Sequence, residues 1–264
     1  MAQEMKPTHS MTAVDQNGRE IPVHIVNEFP LTIKINNKEV VTLMTLGPWP
    51  EDLVLGYLRN QRLVEDISHI RSVRIDLEKE TAHVSIPDEH IRDLKQKMTR
   101  KIVTTGCGEG TVFSCSLDRI YEKRLTPFPI QRSVIYDLLD DLRNKGRIYK
   151  MAGSVHSCAL CSPQGKIWMS VEDVGRHNAA DTIAGRMWSK GIAGADKILY
   201  TTGRITSEIV IKAVLMEIPV ILSRSGITTM GLTIAQDLNL TVIGRAKAKK
   251  FIVYNGHAHI LFNE

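Results

Sequence analysis

The chain has 264 residues, enough to bury a sizeable core, and this length favours two domains. With 43% hydrophobic and 24% charged residues, it has the composition of an ordinary soluble globular protein. No apolar run is long enough for a membrane span, and a net charge of +5 does not by itself indicate nucleic-acid binding. The first residues lack the apolar core of a signal peptide, so we expect a cytoplasmic protein without a membrane or nucleic-acid partner.

Residues 1–125 predict a small α+β domain. Residues 1–20 are polar, and we expect them to be mobile. A helix is predicted to begin at Pro50, because proline suits the first turn of a helix, and a polar helix is predicted for residues 88–99. Apolar stretches predict strands at residues 21–26, 31–35, 40–44, 73–75 and 82–86.

A glycine-rich loop near the end of this domain carries Cys107. Gly106, Gly108 and Gly110 leave little bulk around the thiol, so another molecule could approach the sulfur closely. Buried structural cysteines usually lie in apolar runs instead. The pattern therefore favours a reactive thiol at Cys107 over an incidental cysteine in a turn.

Residues 126–264 predict a larger α/β domain. Residues 125–129 are typical of a linker, and Ser133 is expected to cap the first helix. Residues 154–161 predict a strand, which a turn at residues 162–165 ends. Alternating strand and helix patterns follow, and they indicate a mixed, largely parallel sheet.

The remaining cysteines raise the question of a metal site. In a reducing cytosol, Cys115, Cys158 and Cys161 are expected to be thiols or metal ligands rather than disulfides. Cys158 and Cys161 have the spacing of two zinc ligands, and His156 is close in sequence. On a strand, however, residues three apart face opposite sides, so we expect no metal site.

Three turns of the larger domain share one layout, in which an apolar strand leads through a polar turn into a helix. Each turn carries one arginine: Arg176, Arg204 or Arg224. Each also offers Gly, Ser or Thr and the free amides of a helix N-terminus, which bind anions. Ligands of such sheets bind beyond the carboxyl ends of the strands, so we expect the three arginines to surround an anionic, phosphate-bearing ligand there.

The first of these turns is the most densely functional stretch. Residues 171–181 place three acids, an arginine, a histidine and an asparagine around Gly175. Asp173 is a plausible helix N-cap, and Gly175 would let the backbone turn tightly. We include His177 with Arg176 among the expected ligand-binding residues.

A basic segment near the C-terminus is predicted to form a loop between two strands. It contains four cations in six residues, which we expect to bind phosphate groups: Arg245, Ala246, Lys247, Ala248, Lys249 and Lys250.

Together these residues resemble the formate dehydrogenase accessory sulfurtransferase family (FdhD/NarQ) over nearly the whole chain. The most specific match is residues 172–179, and residues 203–204, 223–225, 30–33 and 56–58 fall at the expected intervals. The resemblance implies a cytidine-deaminase-like α/β fold for the larger domain, without the zinc of the deaminases.

The resemblance also implies a function. A cysteine of the family's loop carries sulfur as a persulfide, taken from a cysteine desulfurase. The sulfur is then passed to a molybdenum bis(molybdopterin guanine dinucleotide) cofactor destined for formate dehydrogenase. Cys107 matches this cysteine, and residues 245–250 match the segment that contacts the cofactor. Gly110 stands where the family often has a second cysteine, so no role is carried over for a second thiol.

Two other functions stay open from the sequence. One is a zinc-dependent nucleotide deaminase-like enzyme, which metal analysis of the purified protein would detect. The other is a non-catalytic scaffold for an oxidoreductase, which a still-active Cys107→Ala variant would favour. We expect a homodimer, although no sequence feature fixes the oligomeric state.

Overall fold

The computed structural model describes residues 6–87, 102–103, 110–111, 120–121 and 123–262. These residues build two main sheets, one near each end of the chain. Two predictions, the polar helix at 88–99 and the reactive Cys107, lie outside the described residues. Within the described ranges, no helix has the length and apolar character needed to cross a membrane.

An antiparallel hairpin begins the described chain. Strand β1 (Thr8–Val14) pairs with β2 (Glu20–Val26), so the prediction of a mobile N-terminus is wrong for the residues of β1. Most side chains of β1 are exposed, and its order comes from pairing with β2. The strand therefore lacks the apolar alternation by which a half-buried strand is recognised in a sequence.

The smaller main sheet has the order β4-β3-β6-β5. Its strands are β3 (Phe29–Ile35), β4 (Lys38–Thr45), β5 (Ser72–Asp76) and β6 (Thr81–Ser85). Helix α1 (Pro50–Asn60) buries Leu53, Val54 and Leu58 in the same core as Ile33 and Ala82. The predicted strands and the helix beginning at Pro50 are confirmed.

After the short strands β7 (Ile102–Val103), β8 (Gly110–Thr111) and β9 (Ile130–Gln131), the chain forms a larger sheet of six strands in the order β11-β10-β12-β13-β14-β15. They are β10 (His156–Cys161), β11 (Ile167–Asp173), β12 (Ile198–Thr201), β13 (Val220–Ser223), β14 (Thr241–Lys247) and β15 (Lys250–Asn255). Only β12 with β13 and β13 with β14 pair in parallel, whereas the other three pairs are antiparallel. The sheet is therefore mixed as predicted, but not largely parallel, because a hairpin closes each side of it.

Helices cover both faces of this sheet. Helix α2 (Arg132–Lys145) packs on one face, and α4 (Arg176–Ser189), α5 (Ser207–Leu215) and α6 (Thr229–Asp237) pack on the other. A short helix, α3 (Arg147–Ala152), follows α2. Strands buried on both faces explain the nearly continuous apolar runs in the sequence of this half.

Two local boundaries differ from the sequence prediction. Helix α2 begins at Arg132 after an N-cap at Gln131, so Ser133 is its second residue rather than its cap. The basic segment at 245–250 is not an open loop, because β14 extends to Lys247 and β15 begins at Lys250. Cross-strand pairing continues almost to the tip, where Lys247 lies opposite Lys250.

Helix α1 crosses α4 at very close range and thereby joins the two main sheets. A Cβ atom on Gly56 would lie 1.7 Å from the carbonyl oxygen of Asp181, and one on Gly185 would lie 1.8 Å from that of Asp52. The two glycines therefore permit backbone contact between the helices. Ile120 and Leu125, which the sequence assigns to the first domain, pack in the core beside α4, α5 and α6. The division at residue 125 stays a prediction.

Candidate functional site

Most of the predicted ligand-binding residues lie at one edge of the larger sheet, the edge formed by the carboxyl ends of its parallel strands. Strands β12 and β13 end there together, because Thr201 pairs with Ser223 in a parallel register. Strands β10 and β11 reach the same edge, where His156 lies opposite Asp173. The tip of the β14–β15 hairpin also lies there, since β14 runs parallel to β13. This edge therefore brings Arg176, His177, Arg204, Arg224 and residues 245–250 to one end of the fold.

Side-chain hydroxyls hold the turns at this edge in a fixed shape. The Thr201 hydroxyl accepts a hydrogen bond from the amide of Gly203 at 3.1 Å. The Ser223 hydroxyl donates to the carbonyl of Gly203 at 2.7 Å and accepts from the amide of Ser225 at 2.9 Å. The two neighbouring turns are thus bonded to each other, which fixes the places where Arg204 and Arg224 leave the backbone.

The first group of site residues contains Arg176, Arg204, His156 and His177. The side chain of Arg176 passes over Gly203, where an added Cβ would lie 2.9 Å from its Cδ. Burial, followed by the charges of Arg176 and Arg204, lowers the pKa of His156 below 6.5. The two guanidinium groups beside His156 give this place a positive field, which would attract an anion.

A chain of polar groups runs from this site into the core. His177 Nε2 lies 3.3 Å from Glu208 Oε2, and Glu208 Oε1 lies 3.6 Å from Lys212 Nζ. Lys212 in turn contacts both carboxylate oxygens of Asp181, at 2.8 and 2.7 Å, and Asn60 of helix α1 donates to Asp181 at 2.7 Å. Separating the partners of a buried pair leaves an uncompensated charge, which is costly. This series of polar contacts therefore fixes the relative positions of α1, α4 and α5.

His177 is held as a neutral imidazole. Burial lowers its pKa to about 2, and the charges of Lys212 and Arg176 act in the same direction. A neutral imidazole has one donor and one acceptor nitrogen; Nε2 lies 3.3 Å from Glu208 Oε2, and the other nitrogen is Nδ1. That Nδ1 is buried and has no hydrogen-bond partner among the described residues, as is also true of Arg176 Nε and Thr206 Oγ1. Buried groups of this kind normally bind water or a ligand.

The helix N-termini at this edge differ in how they are capped. Helix α6 is capped by Thr228, whose hydroxyl accepts from the amide of Gly231 at 3.2 Å. In the described structure, α4 after Gly175 and α5 after Thr206 have no side-chain cap. No cap side chain therefore binds their first amides, and anion binding at these turns stays a prediction.

A second group of cations lies on the α2 face of the sheet. Arg224, Lys247 and Lys249 line a cavity of about 400 Å³ beside Tyr136 and Asp137 of helix α2. Arg224 is also within hydrogen-bonding reach of Tyr200. The sequence predicts that Arg224 shares one pocket with Arg176 and Arg204. The structure instead gives Arg224 different neighbours from those two arginines.

Residues 245–250, at the tip of β14 and β15, form a basic hairpin. Its side chains are divided between the two faces of the sheet. Ala246, Lys247, Ala248 and Lys249 line the cavity beside α2. Arg245 lies toward the turn before α6, where its Nε would be 3.9 Å from a Cβ on Gly226. Arg245 is exposed and has a φ of 49°, as the register of β14 and β15 shifts there. The hairpin separates the two cation groups and contributes to both sides.

Comparison with known proteins decides the family. A family model described as FdhD/NarQ matches residues 26–261. The chain belongs to the FdhD/NarQ family. It is 31% identical over 246 residues to the sulfur carrier protein FdhD of Listeria monocytogenes serotype 4b (strain F2365), covering 92% of this chain and 93% of that one. It is 34% identical over 243 residues to sulfur carrier protein FdhD of Staphylococcus aureus (strain JH9), covering 90% of each.

A solved structure shows the same fold. It is a crystal structure from Desulfotalea psychrophila, described as that of a formate dehydrogenase accessory protein. The two chains align with a TM-score of 0.75 at 23% identity, over 96% of this chain and 98% of the other. The resemblance drawn from residues 172–179 is thus confirmed at the level of the FdhD/NarQ family, and the roles of individual residues stay predictions.

The stretch that best marks this family proves to be partly a structural junction. The carboxylate of Asp173 accepts hydrogen bonds from Thr45, from the amide of Leu46 at 3.1 Å and from Asn178 at 3.0 Å. Asn178 also donates to the carbonyl of Met44 at 2.7 Å. Asp173 is therefore not the N-cap of α4, which is Gly175. These two side chains attach the end of β4 to the site, a role that local sequence cannot reveal because β4 is distant in the chain.

The neighbouring residues of this junction also differ from their predicted roles. Gly175 has a φ of −100°, so it does not supply a glycine-only turn. It provides room instead, because a Cβ there would lie 3.0 Å from the Asn178 amide nitrogen. Glu172 accepts hydrogen bonds from the amides of Ile148 and Tyr149, both at 3.0 Å, and so binds the first turn of α3.

The cysteines within the described residues are both inaccessible. Cys158 and Cys161 are fully buried, and burial raises the pKa of each thiol to about 12. They lie in the cores on opposite faces of the sheet, as the strand prediction requires. The described residues contain no cluster of three or more His, Cys, Asp or Glu side chains that could hold a metal ion. Cys107 and Cys115 lie outside these residues.

The described residues on either side of Cys107 do pair with each other. Strand β7 (Ile102–Val103) is antiparallel to β8 (Gly110–Thr111), and residues 104–109 connect them. In the sequence, Cys107 falls between these two strands, and its role stays a prediction.

Proposed function

We propose that this protein is a sulfur carrier and sulfurtransferase that serves formate dehydrogenase. Cys107 accepts sulfur from a cysteine desulfurase as a persulfide and transfers it to a molybdenum bis(molybdopterin guanine dinucleotide) cofactor. Family membership and relatives named sulfur carrier protein FdhD support the general role. The structural neighbour described as a formate dehydrogenase accessory protein supports the choice of client.

From the protein itself, the proposed chemistry needs only an accessible thiolate. The Cys107 thiolate attacks the outer sulfur of the donor's persulfide, so a new S–S bond forms and the donor's thiolate leaves. In the second step the S–S bond breaks as the substrate accepts the outer sulfur directly, and the electron pair of that bond stays on Cys107, which is restored as a thiolate. The molybdenum of the substrate supplies the two electrons that convert this sulfur into a sulfide ligand.

The observation that carries the proposal is the pair of cation groups at one sheet edge. The cofactor has two guanine dinucleotide arms, each with a pyrophosphate. Arg176 and Arg204 form one group and Arg224, Lys247 and Lys249 form the other, on two sides of the basic hairpin. Two polyanionic arms need two such places. Because each group is partly open to solvent, its contacts are of moderate strength and permit release of the cofactor.

The buried thiols sharpen the assignment of Cys107. At pH 8, a thiol with a pKa of about 12 is a thiolate in only about one molecule in ten thousand, and the thiolate is the nucleophile. Cys158 and Cys161 therefore cannot carry sulfur while the protein is folded. The zinc-enzyme alternative also loses its proposed ligand set, because these two thiols face opposite sides of the sheet.

Mass spectrometry tests the proposal. The protein is incubated with a cysteine desulfurase and cysteine, digested, and searched for an added sulfur atom on each cysteine-containing peptide. We expect the added sulfur on the Cys107 peptide, and its loss in Cys107→Ser. Sulfur found only on Cys115, Cys158 or Cys161 would show that the carrier is misassigned. A Cys107→Ser variant that still activates formate dehydrogenase would favour the scaffold function instead.

Three further expectations belong to this proposal. The layered arrangement of α2, the six-stranded sheet and α4, α5 and α6 supports a cytidine-deaminase-like larger domain. A cytoplasmic location and a homodimeric state stay predictions of the sequence. Gel filtration with light scattering measures the oligomeric state directly.

A further inference from the structure

The cavity beside helix α2 contains an unusual combination of side chains. Arg224, Lys247 and Lys249 line one part of it, and the half-buried Tyr136 lies beside them. Its volume of about 400 Å³ is within the range of about 300–1,000 Å³ typical of small-molecule sites. An aromatic ring next to several cations suits a ligand with a planar base and phosphate groups.

Two carboxylates of α2 also line this cavity, and they are in different states. Asp140 accepts a hydrogen bond from Arg143 at 2.7 Å. Asp137 has no ion-pair or hydrogen-bond partner among the described residues. A free carboxylate among cations would repel the phosphates of a ligand. Asp137 is exposed, so both of its carboxylate oxygens are open to accept hydrogen bonds from another part of the same ligand.

We infer that this cavity holds the guanine base of one cofactor arm and that Asp137 selects guanine. The inference rests on the proposed function and adds the residue that reads the base. Guanine presents two adjacent donors, N1–H and the N2 amino group, which match the two oxygens of one carboxylate. Adenine has no donor at N1 and no amino group at C2, and hypoxanthine lacks the N2 amino group.

The geometry of the cavity gives each part of the ligand a separate place. The carboxylate of Asp137 takes the Watson–Crick edge, and the ring of Tyr136 lies against the base. Lys247 and Lys249, at the tip of the basic hairpin, and Arg224, at the end of β13, take the phosphates. The ring of Phe251 packs against the Tyr136 ring, with the ring centroids 5.9 Å apart and the planes tilted by 54°.

Calorimetry with GDP, IDP, ADP and inorganic pyrophosphate tests the inference on the full-length protein. We expect the wild type to bind GDP about ten to one hundred times more tightly than ADP, the discrimination of one bidentate base contact. IDP, which offers one of the two donors, should lie between them. Asp137→Asn should reduce the ratio of GDP to ADP affinity to about one to three, because an amide presents only one acceptor.

The ratio is the decisive quantity because the loss of a negative charge strengthens binding of every diphosphate equally. Asp141→Asn is the matched control: Asp141 is also exposed, one helical turn after Asp137, and its replacement removes the same charge, but it does not line the cavity. Its GDP to ADP ratio should equal that of the wild type.

The outcomes distinguish failure of nucleotide binding from failure of base selection by Asp137. If neither pyrophosphate nor GDP binds, the nucleotide site of the proposed function fails. If GDP and ADP bind the wild type equally, or if Asp137→Asn keeps the full preference for GDP, base selection by Asp137 is refuted while phosphate binding stands.

Discussion

His156 reports the electrostatic field of the candidate site. Burial, Arg176 and Arg204 all lower its pKa, so the imidazole is neutral in the folded protein at neutral pH. An anion that neutralises the two guanidinium groups would remove part of this effect. The pKa of His156 should therefore rise when pyrophosphate binds.

NMR titration of the His156 ring protons measures this change, with the resonance assigned from the spectrum of His156→Gln. The sign also affects stability. Because the unfolded state binds the proton first, His156 should make the free protein less stable as the pH falls below 6.5. A pKa that is the same with and without saturating pyrophosphate would place the anion elsewhere.

For single residues, the sequence predicts the face of a strand on which a side chain lies better than the distant partners that the side chain contacts. It correctly places Cys158 and Cys161 on opposite faces of the sheet, because the alternation of side chains along a strand is a local property. It assigns Asp173 to the wrong hydrogen-bond partners, because Thr45 and Leu46 are more than a hundred positions away. The network from His177 to Asn60 is equally invisible in the sequence, since it needs α1, α4 and α5 together.

Among the elements, the crossing of α1 and α4 is the most sensitive to substitution. Replacing Gly56 or Gly185 with Ala places a Cβ 1.7 or 1.8 Å from a backbone carbonyl oxygen. Alanine is normally about 1 kcal/mol better than glycine in a helix interior. Here we expect the opposite sign, a loss of about 2–4 kcal/mol in the free energy of unfolding, because backbone atoms cannot move aside.

Urea denaturation of each variant measures the loss. Ser189→Ala, at the exposed end of the same helix, is the control and should change stability by less than about 0.5 kcal/mol. Glycine variants as stable as the wild type would mean that the helices are farther apart than the structure shows.

The elements themselves are largely predictable, whereas their arrangement is only partly so. Apolar alternation predicts the strands that bury a face, and Pro50 correctly marks the start of α1. The exposed β1 is missed because it has no buried face to pattern its sequence. The sequence overestimates how many strands pair in parallel, because the hairpins β10–β11 and β14–β15 place antiparallel pairings on both sides of the parallel strands β12, β13 and β14.

In the whole molecule, a close helix crossing and several side-chain hydrogen bonds connect the two main sheets. Helix α1 contacts α4 directly, Asp173 and Asn178 bind the end of β4, and Asn60 binds Asp181. Such contacts give the smaller unit a fixed position relative to the edge where the cofactor is proposed to bind. A carrier that must present sulfur to a bound cofactor needs a fixed relation of this kind.

The basic hairpin provides the test of the whole arrangement. Lys247, Lys249 and Lys250 are exposed and lie close together at the tip of β14 and β15. Like charges held together in this way attract an anion that neutralises them. Replacing all three with Gln should weaken binding of GDP by about tenfold or more. It should also flatten the dependence of the dissociation constant on salt, because exposed charges are screened over about 8 Å at physiological ionic strength.

Calorimetry at several salt concentrations measures both effects. The matched control replaces Lys38, Lys79 and Lys190, which are exposed elsewhere, with Gln and so changes the net charge by the same amount. If this control weakens binding equally, the effect belongs to the overall charge and not to the hairpin. Sulfur loading of Cys107 should be unchanged in the hairpin variant, because loading needs only the desulfurase. A hairpin variant that binds GDP normally but fails to accept sulfur would reverse the assignment and make residues 245–250 the docking surface for the desulfurase.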